Sequence, residues 1–138
     1  MQKKFERNEK ILDSEENIIA IIVDTNLTNY EKEFHTDHKQ SFQIGTFNLP
    51  KGEELERHIH LENKRIISNT CETLIILDGK MTVDIYDMNK NFICTKNLSK
   101  GALISFFEGG HKFKIEKTCK FIEVKQGPYI EGLDKEKF

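Results

Sequence analysis

Short apolar runs alternate with polar, turn-rich breaks along nearly the whole chain. Ile18–Val23 (IIAIIV) is a continuous apolar run of mostly β-branched residues, the pattern of a strand covered on both faces. Ser14–Asn17 ahead of it reads as a turn or a brief helix. Ser41–Pro50 alternates apolar and polar positions and stops at Pro50-Lys51-Gly52, a turn signal. Leu55–His60 predicts another strand and Leu61–Asn69 a polar loop. Thr73–Leu77, Asp78-Gly79 and Lys80–Tyr86 read as a hairpin, because Asp-Gly suits a turn with positive φ at both central residues. A turn at Met88–Asn91 leads into strands over Phe92–Lys96, Leu103–Phe107 and Phe121–Lys125. Short strands at regular spacing with turn residues between them indicate an all-β antiparallel sandwich or barrel.

Composition narrows the partners. The 138 residues suit a single domain with a sizeable core, its main part over about 42–125, with an N-terminal strand at 18–23 and a tail over 126–138. The stretch Gly127–Phe138 is expected to lie over the barrel mouth or at a dimer contact, with Asp134–Lys137 read as a solvated end. The formal net charge is -2 and no basic stretch interleaves with aromatics, so nucleic acid is not an expected partner. No apolar run approaches membrane-spanning length, and the first ten residues lack the apolar segment of a signal peptide. Cys71, Cys94 and Cys119 are odd in number and lack metal-type spacing; they read as thiols in a reducing cytoplasm.

Four residues carry candidate chemistry. A strand sends alternate side chains to one face, so His58 and His60 would point together, close enough to converge on an ion about 2.1 Å from each nitrogen. Glu72 opens an apolar run, and His111 follows Gly109-Gly110. Three imidazoles and a carboxylate facing one cavity suit a single divalent transition ion: Fe, Mn, Ni, Co or Zn. His35 and His38 lie in a polar stretch and read as loop residues. Cys71 should face away from Glu72, as strand neighbours do.

The same residues resemble the first cupin motif: Gly52, five residues, His58-x-His60, a spacer, Glu72, six residues, Gly79. The spacer after His60 is longer than in the short consensus. The second motif would run from Gly101 to His111, with Phe107 where a proline is usual and Gly109-Gly110-His111 one residue tighter. The end of the chain looks like a subgroup of small single-domain bacterial cupins. The resemblance implies an antiparallel double-sheet jelly-roll β-barrel, a homodimer, and a metal held by His58, His60, Glu72 and His111.

Four protein ligands on an octahedral ion leave two positions open, as a reactive site requires. The leading expectation is a metal-dependent enzyme acting as Lewis acid on a small hydroxy-carbonyl or sugar-like metabolite, in the manner of an isomerase or epimerase. The alternatives are an Fe(II) dioxygenase, a metal-free isomerase with a histidine base, and a non-catalytic module that binds a small ligand. Leu74 and Ile76 share the face of Glu72. Phe121, Glu123 and Lys125 share a face too, so Glu123 and Lys125 either meet solvent or form a charged pair near substrate. Lys64 and Arg65, in the loop after His60, are candidate clamps for a carboxylate or phosphate, and Gln43 and Tyr129 are further candidate substrate contacts.

Overall fold

A computed structural model describes residues 8–28 and 31–138. The polar segment 1–7, most of the stretch expected to lack a signal peptide, lies outside them. The described residues form antiparallel β-structure with one short 3-10 turn and no α-helix. No helix among them is long and apolar enough to cross a membrane.

The strands are β1 (Asn8–Leu12), β2 (Ile18–Asp24), β3 (Lys32–Phe34), β4 (Gly45–Phe47), β5 (Glu72–Tyr86), β6 (Phe92–Ser99), β7 (Ala102–Phe106) and β8 (Gly110–Lys125). Six of them make one sheet in the order β1-β2-β7-β5-β6, with β8 on the other edge of β5. β3 and β4 pair separately. β5 organises the sheet. Its first residues pair with β7, its second half pairs with β6, and β8 accompanies it from end to end.

The expected hairpin at Asp78-Gly79 is absent. Thr73–Leu77 and Lys80–Tyr86 do not pair with each other; both pair with β8, as two arms of one bent strand. Gly79 has φ +84, and a Cβ there would stand 2.0 Å from the Thr118 carbonyl oxygen. The pairing register slips between Ile76 and Asp78, between Asp78 and Lys80, and between Lys80 and Met81. Asp-Gly therefore supplies the positive φ it signals, but at a bulged corner where a second backbone crosses closely.

The bend is sharp. A straight strand from Glu72 to Ile85 would span about 40 Å at roughly 3.3 Å per residue. Yet His111, the partner of Ile85, brings Nε2 within 3.0 Å of Glu72 Oε1. The β5–β8 ribbon thus folds back on itself around its inner face.

That inner face carries the main core: Ala20, Leu74, Ile76, Met81, Val83, Ile85, Leu98, Ile104 and Phe106 are all buried there. Each fully buried Leu or Ile contributes about 1.5–3 kcal/mol. Ile21, Val23, Cys71 and Phe107 form a second cluster. β2 contributes to both clusters, as the apolar run Ile18–Val23 predicts.

Other expectations fare unevenly. The turns at Ser14–Asn17 and Met88–Asn91 form, each braced by an aspartate (Asp13, Asp87) accepting from backbone N–H groups. The alternating stretch Ser41–Pro50 yields only the three residues of β4. Leu55–His60 is not a strand. It belongs to an exposed arm without regular structure, where Leu55, Ile59 and Leu61 are open to solvent. Four charged residues, Glu53, Glu54, Glu56 and Arg57, interrupt its apolar pattern, and the aliphatic side chains the arm does carry, Leu55, Ile59, Leu61 and Ile66, stay exposed instead of packing on the sheet. β1 was not anticipated, because Asn8–Leu12 alternates weakly and buries only Ile11 fully.

Candidate functional site

Glu72 begins β5 and pairs with both Phe106 and Lys125, so three strands meet at its position. Its side chain points to the inner face with Leu74 and Ile76, which are wholly buried, as expected from strand alternation. The bend then delivers His111 from the far end of the ribbon. The imidazole stacks on Phe106 with centroids 4.2 Å apart and tilts against Phe113 at 4.8 Å. These two rings fix its plane.

The contact between His111 Nε2 and Glu72 Oε1 is short but not aligned as a hydrogen bond. Oε1 is buried, and among the described residues no donor is directed at it closely enough to satisfy it. Glu72 Oε1 and His111 Nε2 thus stand within ion-pair range of each other, without the alignment of a full hydrogen bond.

Register places Glu123 beside Leu74 and Lys125 beside Glu72. The charged pair of β8 therefore shares the face of Glu72 and Leu74; Lys125 is half-buried there, while Glu123 meets solvent about as much as Ile122 and Val124 do on the other face. Lys125 Nζ is 4.0 Å from Glu123 Oε2 and 3.9 Å from Asp134 Oδ2, and it lies 5.4 Å from the centre of the Tyr129 ring. Burial works to raise the pKa of Glu72. The His111 ring, the Glu123 carboxyl and the Lys125 charge outweigh it and hold the group below the usual carboxylate range. Glu72 is the anionic centre of the cluster.

No family, no curated protein and no solved structure matches this chain.

Of the sequence-derived ligand set, Glu72 and His111 come together. His58 and His60 are on the exposed arm, their rings 5.3 Å apart and edge to face, with His58 Nδ1 2.9 Å from the Glu56 carbonyl oxygen. The two histidines do neighbour each other, as expected, but on an arm without regular structure and not on a strand. Among the described residues no group of three or more potential metal ligands is assembled.

The remaining candidates divide. Glu123, Lys125 and Tyr129 lie at the cluster. Lys64 and Arg65 are exposed on the arm. Gln43 commits its amide to its own loop, accepting from Thr36 and donating to the carbonyls of Asp37 and Gln40. Cys71 does face away from Glu72. Its thiol is packed with Ile21, Val23 and Phe107, and burial pushes its pKa up against a weak opposing pull from Ser41, so it is no thiolate.

Sequence reasoning missed Asp134, Phe106 and Phe113. The aromatic alternation in FKI after His111 was a usable signal for Phe113; nothing local marks Asp134. His35 is a loop residue, as read from the sequence, but not an exposed one. The ring is buried just after β3, with Nδ1 3.1 Å from Asn8 Nδ2 and Nε2 2.9 Å from Thr46 Oγ1. A polar cleft of about 280 Å³ opens among Asn17, Gln40, Ser41, Asn69 and Glu108; neither Glu72 nor His111 lines it.

Proposed function

We propose that the protein is a cupin-type jelly roll that binds one divalent transition metal through Glu72 and His111, completed by His58 and His60 of the arm, and that it acts on a small hydroxy-carbonyl metabolite. The observation that carries this reading is the 3.0 Å separation of Oε1 and Nε2 without hydrogen-bond alignment. Two donors about 2.1 Å from an octahedral ion and at right angles to one another stand about 3.0 Å apart. Charge points the same way. Three carboxyl groups, Glu72, Glu123 and Asp134, stand about the single ammonium of Lys125, an acidic cluster that suits a divalent cation.

When bound, such an ion supplies Lewis acidity toward a carbonyl oxygen. The chain's own residues supply the rest. Phe106 and Phe113 keep the His111 ring in plane and exclude water from one side. Lys125 and Glu123, on the face of Glu72, are placed to orient a polar substrate and to move a proton.

Metal content decides the matter. Wild-type protein reconstituted with Mn(II) should hold near one equivalent, and His111→Ala and His60→Ala should each lose most of it. Full metal content in both variants, or none in the wild type, would sink the reading.

A further inference from the structure

We infer that the C-terminal segment is a strap whose Asp134 carboxylate takes the place of a ligand's carboxylate on Lys125, so that the site selects small carboxylic acids; this rests on the metal-site reading above.

The strap begins at Lys125, directly beside Glu72. It finishes at Phe138, which packs edge-on against Tyr86 at 5.2 Å and covers Gly110, where a Cβ would stand 2.8 Å from the ring. Tyr86 and Gly110 pair with each other next to His111. The two anchor points of the strap thus bracket the Glu72–His111 contact. Lys90 secures the far end, with Nζ 3.2 Å from Glu136 and 5.7 Å from the Phe138 ring centre. These tethers are side-chain contacts on a segment that belongs to no strand, the kind of element that opens at low cost.

Asp134 is the informative member. It is a largely buried carboxylate (17% exposed) drawn from the tail onto the one ammonium of the cluster. Removing it alone would strip a partner from Lys125. Exchanging it for a carboxylate of the ligand keeps the local charge constant, and a neutral ligand cannot make that exchange. The ligand class is therefore a small carboxylic acid with a second oxygen next to the carboxylate, able to reach the metal-binding atoms.

The test uses full-length protein loaded with Mn(II), titrated with oxalate and with uncharged oxamide. Asp134→Asn should bind oxalate at least about fivefold more tightly than wild type, and Lys125→Met at least about tenfold more weakly, with oxamide the same in all three. If Mn(II) binds and both variants match wild type toward oxalate, the exchange is wrong and the metal site stands. If Mn(II) does not bind, the metal-site reading falls, and the strap is judged on metal-free protein by amide hydrogen exchange. Asp134→Asn and Phe138→Ala should each speed exchange over residues 129–138 by about tenfold or more. Unchanged exchange in both variants overturns the strap.

Discussion

The β5–β8 ribbon and the arm between Gly52 and Cys71 carry the two halves of one expected ligand set, and the chain treats them in opposite ways. The ribbon is stapled through Leu74, Ile76, Met81 and Val83 into the core, and its bend forces Glu72 against His111. The arm holds His58 and His60 among aliphatic side chains, Leu55, Ile59, Leu61 and Ile66, that stay exposed and anchor nothing. Ligand identity and ligand placement are thus separate properties. Placement follows from the burial of the apolar neighbours, which the ribbon achieves and the arm does not.

The two motif glycines give the sharpest contrast. Both have positive φ, but Gly79 faces the backbone of Thr118 and Gly52 faces open space. Gly79→Ala should cost more than about 4 kcal/mol in denaturant unfolding, or prevent folding, because backbone strain and a clash with another backbone combine. Leu74→Ala, in the ribbon core, should cost about 2–5 kcal/mol by the same measurement. Gly52→Ala should cost only about 1–2 kcal/mol, the penalty of a left-handed conformation alone. Ile59→Ser on the arm should fall within about 0.5 kcal/mol of wild type. A large loss from Gly52→Ala or Ile59→Ser would show that the arm is packed after all and would break the contrast.

A subtler difference concerns acid. The folded state holds the Glu72 carboxyl below its ordinary value. Its contribution to stability is therefore complete above the unfolded carboxylate pKa and is lost as pH falls through the folded value. Urea unfolding between about pH 6 and about pH 3 should lose less stability in Glu72→Gln than in wild type. An identical pH slope in both proteins would mean that the cluster does not stabilise the Glu72 charge.

What was legible from the sequence follows the same division. The strand over Ile18–Val23, the turn residues around Asn17 and Asn91, and the shared face of Glu72, Leu74 and Ile76 were readable because alternation and Asx chemistry act locally. The role of Asp78-Gly79 was misread because a tight turn and a bulged corner ask for the same residues; only the distant β8 decides between them. Leu55–His60 was misread because three alternating positions mimic a strand without a partner to pair with. Within the site, Glu72 and His111 stood out by residue type, and Lys125 was left between two faces. Asp134 was read as part of a solvated end and is instead largely buried against Lys125, a contact that a tail residue has no periodicity to betray.

The bend in the ribbon also has a kinetic meaning. Glu72 and His111 lie far apart in sequence, and they touch only after β8 has paired along both arms of β5. The pairings of β2 with β7 and β5 with β7 also join strands that are not consecutive in the chain. Such a topology closes long loops before it gains contacts, which places folding in the slow, millisecond-to-second regime. The imidazole of His111, stacked on Phe106 and set against Glu72, is then a built-in clock. Its ring signal is expected to report closure of the bend, because ring and carboxylate meet only across it.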